Sequence, residues 1–463
     1  MKQSDFIRDF SRCLIRGSGT LFCGAGLSKM SGLPLWDELL APIGAELGLP
    51  NTFTDLPLLA QYFVATVPDG RERLEKMVRS SLSVRAVPNI AHSVIAAMPV
   101  ERLWTTNYDN LLESAHAAIK IYSRDRELLN DRDEGQRVLY KMHGEFTAES
   151  GPEPATIIIT REDYELYPRQ YPRMWAQLVA TFATQSILFI GFGFNDPNIN
   201  HILALARTRL SGGYRSHYAI LRAPEPSDAR AFREHTLRTH DLEATGIHCV
   251  QIKDYSDVTE VLKDLLIHAV PPRVVICGSD ESGDNDELCT LLGRALGESG
   301  IGVVSGGGRP GIVVSYAAAE QFKAMGKYDP NMIMCYYESG PIPVIVPERR
   351  LGSIKYFGED RLKMRKEMIR QARAAVLIGG RDGTREEAEL CIADHVPVIP
   401  VAASGGTAEA IWKEFESKLN QLTMGGRAVS RSDFADLRGS NMQEIVNAVL
   451  RLLRQAMFME TIA

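Results

Sequence analysis

The stretch FCGAGLSKMSGLPLW, at residues 22–36, places three glycines and two serines directly after a short apolar run. Glycine lacks a Cβ, so at Gly24 and Gly26 a large anionic group can approach main-chain N–H groups at the start of a following helix. A tight strand-to-helix turn that binds nothing would use the same residues. The motif alone leaves both interpretations open, and the elements around it must decide between them.

Two further polar clusters follow apolar runs in the same half of the chain. Residues 103–106 precede NYDN, residues 186–190 precede GFGFNDPNI, and helical stretches such as residues 37–47 and 172–184 separate these runs. Such an alternation predicts a parallel sheet with helices on both faces. Ligands of these sheets bind beyond the carboxyl ends of the strands. We therefore expect the three clusters to converge at one edge.

The pattern restarts after HAVPPR at residues 268–273, whose two prolines indicate a linker. Beyond it, RVVICGSDESGD, IGVVSGGGRPG and AAVLIGGRDGTREEAEL each join an apolar run to a glycine-rich turn. The sequence predicts an α/β protein with two Rossmann-like parallel-sheet domains in tandem, residues 1–270 and 271–463. The apolar spacing of residues 441–457 predicts an amphipathic helix that closes the second domain.

Three motifs of the first half resemble the sirtuin-type NAD-binding fold: GAGLSKMSGLP, TTNYD at residues 105–109, and HG at residues 143–144. The resemblance implies that the glycine loop lines the dinucleotide phosphates and that His143 is the polar group beside the nicotinamide ribose. Asn107 and Asp109 would hold that ribose and the reactive water. GFGFNDPNI resembles the closing loop of bacterial sirtuin-like effectors. The implied NAD-contacting residues, besides catalytic Asn107 and His143, are Gly24, Ala25, Gly26, Ser28, Asp109, Gly191 and Asn195.

These residue types suit cleavage of the nicotinamide–ribose bond, which builds positive charge at the anomeric carbon. The amide of Asn107 can orient water and hydroxyl groups through both donor and acceptor atoms. A histidine exchanges a proton near neutral pH, so His143 is the expected proton-transfer group. An aspartate after a strand also caps a helix well, which stays an alternative for Asp109 and is our expectation for Asp196.

The chain departs from the sirtuin deacylases in two places. Their zinc module carries two cysteine pairs, whereas the seven cysteines here are scattered without a CxxC. Leu35 and Trp36 stand where that family commonly has phenylalanine and arginine. Water is then the simplest acceptor, so we expect a metal-independent enzyme that hydrolyses NAD to ADP-ribose and nicotinamide.

Four motifs of the second half resemble the SLOG superfamily, in particular its LOG branch: CGSDES, SGGGRPGIV, MRKEM and GGRDGTREE. Residues 349–373 contain nine Lys or Arg and three Asp or Glu, although the chain carries a net charge of −6. A solvated basic helix would show the same excess, but the family motif favours an anion site. The implied nucleotide-binding residues are Gly278, Ser279, Gly307, Gly308, Arg365, Lys366, Gly380, Arg381, Gly383, Thr384 and Glu387.

The LOG enzymes use acidic residues of the last motif to cleave an N-glycosidic bond, and Glu386 and Glu387 occupy those positions. The motif begins with Ile378-Gly379, where the enzymes usually have proline, which favours sensing over catalysis.

The order of the two domains resembles that of the Thoeris anti-phage NADase effectors. The resemblance implies an NAD hydrolase that is latent until its SLOG domain binds a cyclic ADP-ribose isomer made by a partner TIR-domain enzyme. It also implies a homo-oligomer, commonly a tetramer. Two alternatives stay open: a phosphoribohydrolase acting through the SLOG half, and a regulator in which both halves only bind nucleotides.

Composition limits the other function classes. The net charge of −6 argues against general nucleic-acid binding. The sequence contains no apolar run of membrane-spanning length, and its N-terminus lacks the apolar core of a signal peptide. Scattered cysteines indicate reduced thiols, so we expect a cytoplasmic protein.

Overall fold

A computed structural model of the chain divides into two compact units, Met1–Ala269 and Val270–Ala463. It describes residues 1–50, 53–82, 85–116, 119–130, 137–146, 157–209, 215–338, 351–357 and 360–459. None of the described helices has both the length and the apolar character that crossing a bilayer requires.

The first unit is built on a seven-stranded sheet whose strand pairs are all parallel. Its strands are β1 Gly19–Cys23, β2 Arg102–Thr105, β3 Lys120–Tyr122, β4 Val138–Lys141, β5 Ser186–Ile190, β6 His217–Arg222 and β7 Ile247–Ile252. The strand order is β3-β4-β2-β1-β5-β6-β7. The direction of winding therefore reverses at β1 and β5, which creates a crevice beyond their carboxyl ends.

Twelve α-helices are described in this unit. They are α1 Gln3–Ile15, α2 Ala25–Lys29, α3 Trp36–Glu46, α4 Leu56–Thr66, α5 Gly70–Leu82, α6 Ile90–Ala97, α7 Leu111–Ala115, α8 Arg161–Gln170, α9 Pro172–Thr184, α10 Pro197–Arg209, α11 Ala229–Ala244 and α12 Asp257–Ala269. Side-chain caps fix several helix starts: Asn89 accepts from the Ala91 and His92 amides at α6, and Thr160 accepts from the Asp163 amide at α8.

The central strands β1 and β5 are buried along their whole length. Their apolar runs read GTLFC and SILFI, and the rings of Phe22 and Phe189 lie 5.3 Å apart in the core. A strand covered by helices on both faces needs such a continuous apolar run, because neither face meets water.

The second unit is built on a six-stranded parallel sheet of order β11-β10-β9-β8-β12-β13, with the reversal at β8 and β12. Its strands are β8 Arg273–Ser279, β9 Gly302–Ser305, β10 Ile333–Glu338, β11 Ser353–Phe357, β12 Ala374–Gly379 and β13 Val398–Val401, with a separate hairpin of β14 Thr423–Met424 and β15 Arg427–Ala428. Its described helices are α13 Asp286–Glu298, α14 Arg309–Ala324, α15 Arg361–Arg370, α16 Asp382–Ala393, α17 Gly406–Glu416, α18 Arg431–Asp436 and α19 Met442–Ala456.

The expectation of two Rossmann-like parallel-sheet domains in tandem is confirmed by these two sheets. The helix expected over residues 441–457 is α19, and its apolar face, including Ile445, Val449 and Leu452, lies in the core of the second unit. In each unit the sheet brings the ends of several strands to one edge, where the polar motifs of the sequence lie.

Candidate active site and nucleotide site

The loops after β1 and β5 interlock at the reversal point of the first sheet. The Gly24 amide donates to the Ile190 carbonyl and the Gly26 amide to the Gly191 carbonyl, both at 2.9 Å. A Cβ on Gly24 would lie 2.6 Å from the Gly191 oxygen, and one on Gly26 would lie 2.8 Å from the Gly191 Cα. These glycines are therefore required by the contact between two loops, and their N–H groups already have partners in this structure.

Three of the predicted site residues form one hydrogen-bonded chain, in which Ser28 and Asn107 are buried and Asp109 is half-buried. The Asn107 Nδ2 donates to Ser28 Oγ at 3.0 Å, and Ser28 Oγ donates to Asp109 Oδ2 at 2.8 Å. Ser28 lies on α2 after β1, whereas Asn107 and Asp109 follow β2, the neighbouring strand. The chain ends on a carboxylate and leaves the Asn107 side-chain oxygen as an acceptor for another group.

His143 follows β4 and is 1% exposed. Its Nε2 lies 3.0 Å from Asp196 Oδ2, which is within ion-pair distance although the angles are not those of a hydrogen bond. The Tyr164 ring stands edge-on to the imidazole, 5.2 Å away. Among the described residues neither ring nitrogen has a hydrogen-bond partner, and leaving both buried in this way is costly unless another group completes the site.

Asp196 performs the capping that the sequence indicated and also reaches the histidine. Its Oδ1 accepts from the amides of Asn198 and Ile199 at the start of α10, at 2.9 and 3.0 Å. The preceding Phe194 has a φ of +53° and packs against Phe189 and Phe192 in the core. This turn directs the Asp196 carboxylate inward, so the loop after β5 meets the segment after β4 across the ends of β1 and β2.

The remaining predicted residues lie at different depths. Asn195 is exposed, and its side-chain oxygen lies 3.5 Å from Arg238 Nη2, so the structure does not bring it to the buried chain. Ala25 begins α2 and is half-buried. Cys23, the last residue of β1, is fully buried, and burial followed by the charge of Asp109 raises its pKa to about 12. Its thiol is therefore no nucleophile at neutral pH.

A small cavity adjoins the interlocked loops, lined on one side by Gly26 and Gly191 and on the other by Arg222 and Tyr255. Its volume of about 20 Å³ is close to that of a single water-filled site. The Arg222 guanidinium carbon lies 5.0 Å from the centre of the Tyr255 ring. Within the described ranges, no group of three or more His, Cys, Asp or Glu could hold a metal ion.

Sequence reasoning missed a buried ion pair beside this site. Lys141, the last residue of β4, contacts the carboxylate of Glu113 on α7. Burial raises the pKa of Glu113, and the charge of Lys141 opposes that shift. A lysine that ends an otherwise apolar strand, VLYK, two residues before His143 is the sequence signal that could have revealed it.

The second unit repeats the glycine interlock at its own reversal point. A Cβ on Gly278 would lie 2.2 Å from the Ile378 oxygen, and one on Gly308 would lie 2.4 Å from the Gly278 oxygen. The Gly380 amide donates to the Ser279 carbonyl at 3.0 Å, which ties the loop after β12 to the end of β8. Gly307 has a φ of +86° beside the Tyr337 ring.

Arg365 and Lys366, which the sequence placed together in a site, lie on different faces of α15. Arg365 is buried and contacts the carboxylate of Glu386, with its Nε 3.5 Å from Glu387 Oε1. Burial raises the pKa of Glu387, and the charge of Arg365 opposes the shift. Lys366 is exposed. Successive helical residues are about 100° apart, so Arg361, one turn earlier, shares the Arg365 face instead.

Other predicted residues cluster around the turn after β12. Arg381 is 80% exposed, and its Nη1 lies 3.7 Å from the exposed Glu281 carboxylate. A Cβ on Gly383 would lie 3.1 Å from Arg365 Nη2, and Thr384 fills the space beside Gly380. Arg349 and Arg350 of the basic stretch lie outside the described residues. A separate cavity of about 400 Å³, lined by Trp412, Phe434 and Arg431 among others, contains none of the predicted residues.

Comparison with known families matches both units. Residues 101–244 match the family model of a SIR2-like domain, and residues 357–426 match that of the SLOG cluster3 family. The first match contains β2 to β6 with Asn107, His143 and Asp196, and the second contains α15 and the turn after β12.

Curated relatives cover most of the chain. A protein named NAD(+) hydrolase ThsA from Bacillus cereus (strain MSX-D12) is 25% identical over 97% of both chains. Proteins of the same name are 26% identical in Enterococcus faecium, over 91% of this chain and 92% of that one, and 33% identical in Acinetobacter baumannii (strain 532279), over 62% of each. The Bacillus cereus and Enterococcus faecium proteins extend over 97% and 91% of this chain, and the SIR2-like match precedes the SLOG match along it, so the chain is a homologue of the proteins named NAD(+) hydrolase ThsA.

Proposed function

We propose that the chain hydrolyses NAD to ADP-ribose and nicotinamide at the carboxyl edge of its seven-stranded sheet. The observation that carries the proposal is the buried chain from Asn107 through Ser28 to Asp109, beside the His143–Asp196 contact. The names of the ThsA relatives support NAD as the substrate. The absence of two cysteine pairs from the sequence supports water, and not an acyl-lysine, as the acceptor.

The Asn107 amide acts as the positioning group in this proposal. Its NH₂ is held by Ser28, which is itself held by the Asp109 carboxylate, so its oxygen points in a fixed direction. A fixed acceptor can hold the attacking water or a ribose hydroxyl, and such orientation lowers the entropic part of the barrier.

His143 and two carboxylates supply the charge and the proton acceptor. Bond cleavage develops positive charge on the ribose, and Asp109 and Asp196 place negative charge at the edge where it develops. Whichever ring nitrogen of His143 carries no hydrogen can accept a proton from a bound hydroxyl or water. The burial of this histidine keeps bulk water from competing for the same contact.

The cavity beside the glycine loops is far smaller than the roughly 300 Å³ or more of a small-molecule site. This cavity therefore does not accommodate a dinucleotide, and neither Asn107 nor His143 lines it.

The purified chain, incubated with NAD with and without cyclic ADP-ribose isomers, tests the proposal. Equal amounts of nicotinamide and ADP-ribose are expected from the wild type under at least one condition. Failure to release nicotinamide under every condition would reject NAD hydrolysis.

For the second unit we propose binding of a cyclic ADP-ribose isomer that activates the first. Support comes from the glycine turns after β8, β9 and β12 and from the exposed guanidinium of Arg381 beside them. The ThsA family suggests the wider setting: a homotetramer in the cytoplasm that depletes NAD in Thoeris anti-phage defence, with a TIR-domain enzyme making the signal.

One contact favours a second candidate function for this unit, namely N-glycosidic hydrolysis of a nucleotide. Glu387 is a half-buried acid with a raised pKa beside Arg365, an arrangement suited to proton transfer. Chromatography of a cyclic ADP-ribose isomer after incubation with the chain distinguishes signal sensing from N-glycosidic hydrolysis. Recovery of intact signal supports sensing, whereas its conversion to products supports catalysis.

A further inference from the structure

Lys141 is a buried lysine at the end of an apolar strand. Its side chain is 1% exposed, and the three residues before it in β4 are buried. The Nζ donates to the Asp109 carbonyl at 2.6 Å and to the Glu113 carboxylate, and it lies 3.6 Å from Glu145 Oε2. Lysine is almost never fully buried unless it is paired, so this position needs its partners.

The lysine connects the two segments that carry the proposed chemistry. On its own strand, the Gly144 amide donates to the Lys141 carbonyl at 3.0 Å, and Gly144 has a φ of +79°, which closes a tight turn around His143. Through space, its Nζ holds the backbone of Asp109, whose side chain accepts from Ser28. A shift of the Asp109 backbone would therefore move the whole buried chain relative to His143.

Stability alone does not explain such a pair. Replacing a buried ion pair by apolar side chains of similar volume is often neutral or stabilising, because the charges lose their hydration on burial. An apolar pair would fill the space between β4 and α7 equally well, but it would not hold the Asp109 carbonyl by a hydrogen bond.

We propose that Lys141 and Glu113 are positioning residues, which set the distance between the Asn107–Ser28–Asp109 chain and His143. The inference rests on the proposed NAD hydrolysis at this edge. Glu113 fixes the ammonium group in place, and the ammonium group fixes the Asp109 carbonyl.

The test compares the wild-type full chain with Lys141→Met, Glu113→Gln and the double variant Lys141→Met/Glu113→Leu. Each single variant removes one charge of the pair and leaves the other side chain buried without its counter-charge. Each is therefore expected to lower the melting temperature. The double variant removes both charges and is expected to recover most of that loss. Its kcat for NAD should nevertheless stay about 10- to 100-fold below the wild type, the range that a misplacement of about 1 Å produces, with a smaller change in KM.

Lys263→Met is the matched control. This lysine of α12 is also buried, and its Nζ lies 2.8 Å from Glu260, but it contacts no residue of the site. Its kcat should match the wild type. A double variant with wild-type kcat would overturn the positioning role and leave the pair as packing only.

A crystal structure of the double variant supplies a readout independent of turnover. Displacement of Asn107 and Asp109 relative to His143 is expected, and an unmoved network would overturn the inference. If the wild type itself releases no nicotinamide, NAD hydrolysis fails, while this structural comparison still decides whether the pair positions the network.

Discussion

The two sheet edges share one backbone plan but differ in where their polar groups lie. In both, glycine loops interlock at the point where the winding of the sheet reverses. At the first edge, Ser28, Asn107 and His143 are buried, and Asn107 donates a hydrogen bond to Ser28. At the second edge, Arg381 and Lys366 are exposed to solvent, and the buried Arg365 is paired with acidic side chains.

This difference shows that a glycine-rich turn alone does not identify a catalytic site. The turn provides a close approach between backbones, which both units require for packing. Buried and mutually oriented polar groups suit catalysis, because they need little reorganisation during the reaction. Exposed cations suit reversible binding of an anion, because they give up only loosely held water and salt partners.

The largest expected effect is a loss of NAD turnover in variants at the first edge. His143→Ala should lower nicotinamide release by about 10²- to 10⁴-fold, the usual contribution of a positioned proton-transfer group. Asn107→Ala should lower it by about 10²-fold, because the attacking water or the ribose loses its fixed orientation. His240→Ala, at an exposed histidine of α11, is the control and should retain wild-type turnover. Wild-type rates in both site variants, with folding verified by circular dichroism, would show that the chemistry lies elsewhere.

The interlock that both edges share can be tested by adding a Cβ. Gly191→Ala combines a φ of +61° with a contact of 2.4 Å to the Leu27 nitrogen, and Gly278→Ala creates a contact of 2.2 Å. We expect losses of about 2–5 kcal/mol in the unfolding free energy of the unit concerned, from overpacking and, at Gly191, backbone strain. Denaturant titration measures both.

Gly17→Ala measures the cost of backbone strain alone, without a steric contact. Gly17 has a φ of +66°, but a Cβ there would meet nothing within 4 Å. The variant should lose about 1–2 kcal/mol of unfolding free energy. Equal losses at Gly17 and Gly191 would mean that the loops do not need their close approach.

The exposed and buried cations of the second edge should respond differently to substitution. Arg365→Ala removes a buried charge that holds Glu386 and Glu387, and it should weaken binding of a cyclic ADP-ribose isomer by about 1.5–3 kcal/mol in calorimetry. Lys366→Ala removes an exposed charge and should change affinity by less than about 1 kcal/mol, an effect that added salt screens. A larger loss at Lys366 would reverse the assignment of the α15 faces.

The last prediction is a pH dependence of stability in the first unit. Burial lowers the pKa of His217 to about 4, below the ordinary value of 6.5, so the folded state keeps it neutral. Between pH 6.5 and 4 the histidine is protonated in the unfolded chain but not in the folded chain. As the pH is lowered through this range, the unfolding free energy therefore decreases by up to about 1.4 kcal/mol per pH unit. Burial also lowers the pKa of His92 to about 4, so His217→Gln should reduce this slope without removing it in denaturant titrations at pH 7, 6 and 5. An unchanged slope would contradict the assignment.

Much of the fold and part of the site were predictable from the sequence. Apolar runs that end in glycine turns predicted parallel strands, and the ends of such strands must meet at one edge, so the approach of Ser28 to Asn107 was foreseeable. The separation of Arg365 from Lys366 follows from helical geometry, which the paired assignment had overlooked.

The contacts that the sequence did not predict join residues far apart in the chain. Asp196 reaches His143 only because Phe194 adopts a left-handed turn, and Lys141 meets Glu113 only because β4 lies beside β2. Both depend on strand order, which local periodicity does not encode. The second partner of each of these buried pairs was therefore identifiable only from the structure.

The most direct test compares one variant at each sheet edge, and it measures both NAD cleavage and signal binding for each variant. Ser28→Ala breaks the buried chain, and Arg381→Ala removes the exposed cation. Nicotinamide release and calorimetric binding of a cyclic ADP-ribose isomer are measured on both full-length variants. The account predicts that Ser28→Ala loses NAD cleavage but binds the signal as the wild type does, whereas Arg381→Ala binds it more weakly and still cleaves NAD once the signal is saturating. Wild-type cleavage by Ser28→Ala, or loss of cleavage by Arg381→Ala at saturating signal, would contradict the division of roles between the two edges.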